Sequence, residues 1–222
     1  MPILSLNDVK YRYVTRFITV EALRGITYGF EAGRFYALRG PSGCGKTTLM
    51  SLMAGLDLPT AGDVVYDGNS TRKLNLARHR REHVAVIYQG YNLLPQLTVA
   101  ENVMYPMELN KTKAKKARER ALSLIGMVGL TEDEFKRFPH MLSGGQQQRV
   151  AIARALGTPA KIILADEPTG NLDTENSRNV ITLLKKLAHE NNYCVVVVTH
   201  DAAVAEMADI SLRMEDGKLA EA

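Results

Sequence analysis

The run Gly-Pro-Ser-Gly-Cys-Gly-Lys-Thr at residues 40–47 constrains the fold more than any other part of the sequence. It fits the spacing G-x-x-x-x-G-K-[ST], in which glycines let consecutive backbone N–H groups converge on phosphate oxygens. The apolar residues Tyr36–Leu38 precede this run, and a helical pattern over Thr47–Ala54 follows it. The run therefore predicts a phosphate-binding loop between a buried strand and the N-terminus of a helix.

The loop also predicts how its side chains would contact a nucleotide. We expect Lys46 to hold the β- and γ-phosphates and Thr47 to give its hydroxyl to Mg²⁺. Cys44 lies beside Lys46 at a helix N-terminus, which favours the thiolate, so we expect it to react with alkylating agents. The other predicted nucleotide contacts in this segment are Gly40, Pro41, Ser42, Gly43, Cys44, Gly45 and Thr48.

A second motif places two carboxylates, Asp166 and Glu167, directly after the apolar run 161–165. Unpaired carboxylates at a buried strand end are costly, so a cation or solvent must lie near them. We expect Asp166 to hold Mg²⁺ through its waters and Glu167 to orient or deprotonate an attacking water. A pair of surface carboxylates is the alternative, and the phosphate loop favours the catalytic interpretation.

A third motif, Leu-Ser-Gly-Gly-Gln-Gln-Gln-Arg, occupies residues 142–149. Two glycines in the first turn of a helix are unfavourable unless another body approaches that turn closely. A helix N-terminus without Cβ atoms is a second anion site. The predicted contacts there are Ser143, Gly144, Gly145 and Gln146, and a flexible turn is the alternative.

The order of predicted elements indicates the fold class. The 222 residues are 45% hydrophobic and 23% charged, which is ordinary for a globular protein, and no stretch is apolar enough to span a bilayer. Strands alternate with helices over residues 1–91 and 157–222, whereas residues 92–156 are mostly helical, with capping boxes at Thr98 and Ser143. This predicts an α/β fold with a parallel sheet and an inserted α-helical subdomain.

Five motifs in this order resemble the ATP-binding subunit of an ABC transporter: GPSGCGKTT, Tyr88-Gln89, LSGGQQQR, ILADEPTGNLD and VVVVTHD. The resemblance extends from about Tyr13 to Gly217. It implies a single ABC ATPase domain over residues 1–222, a P-loop NTPase with a RecA-like core, an N-terminal antiparallel β subdomain and a helical subdomain that carries LSGGQ. The segments YNLLPQLTVAENVMYP and DEPTGNLD are similar to a subgroup for lipoprotein release, macrolide export and antimicrobial-peptide resistance.

The resemblance also implies roles for further residues. Gln89 matches the glutamine that senses Mg²⁺ and nucleotide and touches the membrane subunit, and Asp173 lies in the loop that crosses to the partner subunit. His200 matches the histidine that contacts the γ-phosphate. Tyr13 fits the aromatic residue that stacks on adenine, with Tyr11 on the same strand face as the alternative. The implied catalytic residues are Glu167, His200, Gln89 and Lys46, and the implied metal contacts are Thr47, Gln89 and Asp166.

The implied activity is hydrolysis of ATP to ADP and phosphate, with Mg²⁺, to drive a separate integral membrane permease at the cytoplasmic face of the cell membrane. The resemblance implies a homodimer in which each ATP lies between Lys46 of one chain and Ser143–Gly145 of the other. Export of a lipid-linked, peptide or drug-like substrate follows from the subgroup.

Two functions from other classes compete with this interpretation. One is a soluble ABC-type ATPase that acts on nucleic acid, ribosomes or cluster assembly, and the other is a P-loop kinase, which would have no use for LSGGQ. The segment Lys111–Arg120 holds six Lys or Arg residues and could face nucleic acid or lipid headgroups. Such a run is more often the solvated face of a helix, and we expect no nucleic-acid partner.

Overall fold

The computed structural model describes residues 1–221. Within them the strands are β1 Leu4–Val14, β2 Thr19–Phe30, β3 Phe35–Arg39, β4 Ala61–Tyr66, β5 Asn69–Ser70, β6 Val84–Ile87, β7 Ile162–Asp166, β8 Cys194–Val198, β9 Ile210–Glu215 and β10 Lys218–Glu221. The helices are α1 Lys46–Met53, α2 Leu76–Glu82, α3 Val99–Leu109, α4 Ala114–Met127, α5 Glu132–Phe135, α6 Gly144–Leu156, α7 Thr174–Asn191 and α8 Ala202–Glu206.

The strands form two sheets. The larger has the order β10-β9-β3-β8-β7-β6, and all its neighbouring strands run parallel except the edge hairpin of β9 and β10. The smaller has the order β2-β1-β4-β5 and is antiparallel. The predicted parallel sheet and the predicted N-terminal antiparallel sheet are therefore both present.

The central strands of the parallel sheet are buried on both faces, which explains why they contain no polar alternation. In β8, Val195 and Val197 join one hydrophobic cluster, whereas Cys194, Val196 and Val198 join the other. The first cluster extends into α3, α4, α6 and α7, and the second extends into α1 and the antiparallel sheet. Each apolar strand thus links two cores, and this packing fixes the position of the edge where the strands end.

The helices α3 to α6 lie between β6 and β7 in the chain. Capping boxes begin α3 at Thr98 and α6 at Ser143, as the sequence predicts. The apolar side chains of these helices belong to the same cluster as one face of the parallel sheet. The helical insertion is thus packed directly on the sheet, and its division at residues 92 and 156 stays a prediction.

Candidate functional site

The phosphate loop connects β3 to α1, and two glycines in it are required by packing and conformation. Gly45 has φ of 106° and precedes α1, so a side chain there would be strained. A Cβ at Gly40 would lie 2.1 Å from the carbonyl oxygen of Met214 in β9. The loop therefore reaches its position only because glycine lets the backbone pass so close to the neighbouring strand.

The side chains of the loop contact the loop itself. The ammonium group of Lys46 donates to the carbonyl oxygens of Gly40 and Pro41 at 2.7 and 2.8 Å. Cys44 is 7% exposed and belongs to the core cluster beneath the loop, with its Sγ 3.8 Å from Nζ of Lys46. Little of the Cys44 thiol is exposed, and its expected reactivity stays a prediction.

Parallel pairing brings the predicted site residues to one edge of the sheet. Leu38 and Asp166 both pair with Val198, and Ile87 pairs with Ala165, so β3, β8, β7 and β6 end side by side. Carboxyl ends of parallel strands form the ligand-binding edge of open α/β sheets. The residues at or just after the ends of these four strands are the phosphate loop, His200, the Asp166–Glu167 pair and Gln89.

Glu167 and His200 form a hydrogen-bonded pair at this edge. Nδ1 of His200 lies 2.8 Å from Oε1 of Glu167, and the carboxylate raises the pKa of His200. Glu167 has φ of 45°, which is strained for a residue with a side chain, and its N–H donates to the carbonyl oxygen of Val198 at 2.9 Å. The strained turn directs Glu167 toward the loop after β8 instead of along its own strand.

The environment of Asp166 fits a divalent cation. Burial raises the pKa of Asp166 and the adjacent Glu167 carboxylate raises it further, while the Lys46 ammonium lowers it. Asp166 therefore keeps a raised pKa despite the nearby ammonium, and added positive charge would stabilise its ionised form. Carboxylate and hydroxyl oxygens are the donors that Mg²⁺ prefers, so Asp166 and Thr47 suit this ion.

Gln89 packs against the loop that follows the two carboxylates. A Cβ at Gly170 would lie 2.5 Å from Nε2 of Gln89, and the side chain of Asn171 donates to the Gln89 carbonyl oxygen at 3.1 Å. The Gly170 N–H in turn donates to the Glu167 carbonyl oxygen at 3.0 Å. Gln89 is thus coupled through two residues to the backbone of Glu167.

The residues of the third motif form the first turn of α6. The Ser143 hydroxyl accepts from the Gln146 N–H, and the Gln146 side chain accepts from the Ser143 N–H, as in a capping box. A Cβ at Gly144 would lie 2.8 Å from the Tyr91 hydroxyl, and one at Gly145 would lie 2.7 Å from the Asn176 side chain. Groups of this same chain therefore already require glycine at both positions, and the approach of another body to this turn stays a prediction.

Two further predicted contacts have partners within the chain. Asp173 caps α7: its carboxylate accepts from the Asn176 N–H at 2.8 Å. Tyr13 is 48% exposed, and its hydroxyl lies 3.1 Å from Oγ1 of Thr48 in α1. Tyr11 instead donates to Asp57 at 2.5 Å, which raises its pKa to about 12. Of the two tyrosines, Tyr13 is therefore the one beside the phosphate-loop helix.

A comparison with known protein families finds that residues 23–170 match the ABC transporter family. The chain belongs to this family. It is accordingly an ATP-binding and ATP-hydrolysing cassette that works with Mg²⁺.

Known relatives match this ABC cassette over almost its whole length. It is 40% identical to the uncharacterised ABC transporter ATP-binding protein YclH of Bacillus subtilis, over 98% of this chain and 95% of YclH. It is 43% identical to the lipoprotein-releasing system ATP-binding protein LolD 1 of Chlorobium chlorochromatii, over 98% and 90%. It is 42% identical to the macrolide export ATP-binding/permease protein MacB of Brucella melitensis, of which it covers 34%.

Solved structures agree with this assignment. The dimeric structure of the bacterial ABC transporter cassette MJ0796 matches with a TM-score of 0.89 and 39% identity, over 97% of this chain and 96% of that one. Its dimeric post-hydrolysis state, bound to ADP and Pi, matches with a TM-score of 0.90 and 38% identity, over 99% and 97%. Relatives that serve membrane transporters imply peripheral membrane association, and within residues 1–221 no helix combines the length and the apolarity that a bilayer span needs.

One positioning residue of the cassette was missed by sequence reasoning. Arg154, in α6, donates to the carbonyl oxygens of Asn92 at 2.6 Å and Tyr91 at 3.0 Å. Both residues have left-handed backbones, with φ of 48° and 60°, and they directly follow the Gln89 segment. The sequence signal was weak. An arginine in an otherwise apolar helix turn indicates a buried hydrogen-bonding role, but the sequence does not show which residues accept its hydrogen bonds.

We expect Arg154→Ala to lower kcat for ATP hydrolysis by about tenfold while leaving KM for ATP nearly unchanged. The substitution removes charge-assisted hydrogen bonds from two strained residues beside Gln89, each worth about 1.5–3 kcal/mol, and it leaves the phosphate loop intact. Arg154→Lys should restore part of kcat, because an ammonium can still reach one carbonyl.

Steady-state kinetics on the folded variants provide the measurement, with thermal unfolding as the check on folding. Arg213→Ala, an exposed arginine on β9, is the matched control and should behave like the parent. Parental kcat in Arg154→Ala would show that this hydrogen-bonded link has no part in turnover.

Proposed function

We propose that this cassette forms a homodimer that hydrolyses two ATP molecules and drives an integral membrane permease from the cytoplasmic face of the membrane. The observation that carries the proposal is the position of the phosphate loop, the Asp166–Glu167 pair and His200 at one sheet edge. Ser143 instead begins α6, whose first turn packs against the segments that follow β6 and β7 and not against the phosphate loop. Relatives named as ATP-binding proteins of transport systems support the permease partner.

The proposed roles follow from the geometry of the edge. Lys46 binds the β- and γ-phosphates, and the phosphate-loop backbone holds the remaining oxygens. Thr47, Asp166 and Gln89 would hold Mg²⁺, which neutralises charge on the phosphates when it is bound. Glu167 accepts a proton from the attacking water, and His200 orients that carboxylate and contacts the γ-phosphate. Tyr13 stacks on the adenine ring.

The His200–Glu167 contact gives this assignment a physical basis. A raised pKa favours the His200 imidazolium, which donates its Nδ1 proton to the Glu167 carboxylate. This hydrogen bond fixes the orientation of the carboxylate, as a general base requires. His200 is also highly exposed, so its outer nitrogen is free to approach a phosphate.

We expect Glu167→Gln to keep ATP binding and to lower turnover by about 10²-fold or more, the typical cost of losing a general base. Some residual rate should remain, since positioning and charge stabilisation account for most of phosphoryl transfer. Lys46→Ala is the contrasting variant, and it should weaken nucleotide binding itself. Phosphate release and nucleotide titration measure the two quantities, and a parental rate in Glu167→Gln would rule out its proposed role.

Packing separates the two anion-binding turns of one chain. The phosphate loop follows β3, whereas the groups closest to Gly144 and Gly145 belong to segments that follow β6 and β7. Strands β3 and β6 are three positions apart in the sheet, which is about 14 Å at the usual strand spacing. A turn on α6 therefore has a natural phosphate partner in a second chain. The dimeric MJ0796 cassettes support this arrangement.

We expect Glu167→Gln chains to be dimeric with ATP and monomeric with ADP, as measured by light scattering. The γ-phosphate is then the ligand shared between chains, and a ligand shifts an equilibrium only through its differential contacts. Adding Ser143→Arg should abolish the dimer by crowding the α6 turn, while ATP binding to the monomer is retained.

Ser143→Ala is the matched control for this experiment. It removes the capping hydroxyl, at a cost of about 1 kcal/mol, without adding bulk. Its dimerisation with ATP should survive. Dimers of Ser143→Arg, or equal loss of monomer binding, would contradict the trans site.

Within the transport class, we propose export or extrusion of a lipid-linked, peptide or drug-like substrate, supported by the similarity to LolD and MacB. Extraction of the tagged chain in mild detergent should co-purify a polytopic membrane protein with a large extracytoplasmic domain. A Glu167→Gln chain with ATP is the matched sample, since slow turnover should retain the complex. Recovery of ribosomes or nucleic acid instead would favour the soluble ATPase.

A further inference from the structure

The basic run Lys111–Arg120 is divided by the structure into two sets of side chains. Lys116 and Arg120, one helical turn apart on α4, line a cleft of about 640 Å³ together with Lys161, which precedes β7. Lys111, Lys113 and Lys115 do not line it. The run therefore does not form one solvated helix face, and of its residues Lys116 and Arg120 line the cleft.

The cleft lies at the amino ends of the parallel strands, whereas the phosphate loop and the residues around it lie at their carboxyl ends. Lys161 and Tyr193 stand at the amino ends of β7 and β8, whereas Asp166 and His200 stand at their carboxyl ends. Five strand residues separate the two edges, which is about 16 Å. The cleft is thus distinct from the phosphate loop and from the first turn of α6.

The charge of the cleft is uniformly positive. Its lining contains three cationic side chains and no carboxylate, and within residues 1–221 none of the three forms an ion pair. The carboxylates of α3 and α4, which are Glu101, Glu108 and Glu119, do not line it. Like charges held together without counter-charge favour an anionic ligand.

Two observations place cationic side chains of the cleft around Tyr193. Nζ of Lys161 lies 5.0 Å from the ring centroid of the half-buried Tyr193. Burial raises the pKa of Tyr193, and the positive charge of Arg120, which also lines the cleft, offsets part of that rise. Lys161 and Arg120, which come from different elements, therefore converge on Tyr193.

We propose that this cleft binds a small anion that carries a phosphate group. Arginine and lysine are the side chains that bind phosphate, the former through paired N–H donors. Thr112 and Thr158 also line the cleft, and its apolar part includes Met107 and Leu156. The volume is that of an ordinary small-molecule site. Such a phosphate group is available either in a free compound or in an anionic lipid headgroup.

The test compares two triple variants that remove the same charge. The cleft variant is Lys116→Ala/Arg120→Ala/Lys161→Ala, and the matched control is Lys111→Ala/Lys113→Ala/Lys115→Ala. Both are made in the Lys46→Ala background, so that the phosphate loop does not mask binding. Pyrophosphate is titrated by calorimetry in one arm. Vesicles of phosphatidylcholine with or without phosphatidylglycerol are sedimented with the protein in the other.

We expect the cleft variant to bind at least tenfold more weakly in one arm or both, since it loses several charge-assisted contacts, and the control to stay within about twofold of its background. An effect in the pyrophosphate arm alone identifies a free phosphate compound as the source. An effect in the vesicle arm identifies a lipid headgroup.

Equal losses in the two triple variants would overturn the proposal, because diffuse charge alone would then explain binding. Equally effective displacement of pyrophosphate by polyglutamate would also overturn it, since an acidic polypeptide would then be the better ligand. If the cleft variant fails to fold, Arg120→Gln alone should still weaken binding about threefold, as one charge-assisted contact is lost, and unchanged binding would reject the site.

Discussion

The parallel hydrogen-bonded register of β3, β8, β7 and β6 is the constraint on which the rest of the molecule depends. It aligns Leu38, Val198 and Asp166 in adjacent strands, so the loops that follow these strands leave the sheet at one edge. Each strand is buried on both faces and ties two hydrophobic clusters together. A one-residue slip would exchange those faces, so packing holds the register and the register holds the site.

Electrostatics at this edge depend on that alignment. Asp166 and Glu167 are neighbours in the chain, and their mutual repulsion is offset within the chain mainly by Lys46 and His200, which follow other strands. Asp166 keeps a raised pKa, so the edge still favours additional positive charge. When ATP binds with Mg²⁺, the cation adds positive charge beside the carboxylates and also neutralises charge on the phosphates.

The first turn of α6 is joined to the nucleotide edge by a chain of contacts. Gly144 packs under Tyr91, Arg154 holds the carbonyl oxygens of Tyr91 and Asn92, and Gln89 of the same segment packs on Gly170. Movement at Glu167 and movement of α6 therefore act on one short segment. This gives a physical route by which a change at the phosphates could reach the helical insertion, and so a permease.

The sequence by itself determined the local features of this protein. The phosphate loop, the capping boxes at Thr98 and Ser143 and the apolar strands all depend on residues close in the chain, and each was predicted in place. The family assignment followed from the order of such motifs. Tertiary structure decided what depends on residues far apart: the burial of Cys44, the neighbours that require Gly144 and Gly145, the partners of Arg154, and the convergence of Lys116, Arg120 and Lys161. Spacing along a chain specifies backbone geometry over a few residues, whereas these contacts exist only once strand register and helix packing have brought distant segments together.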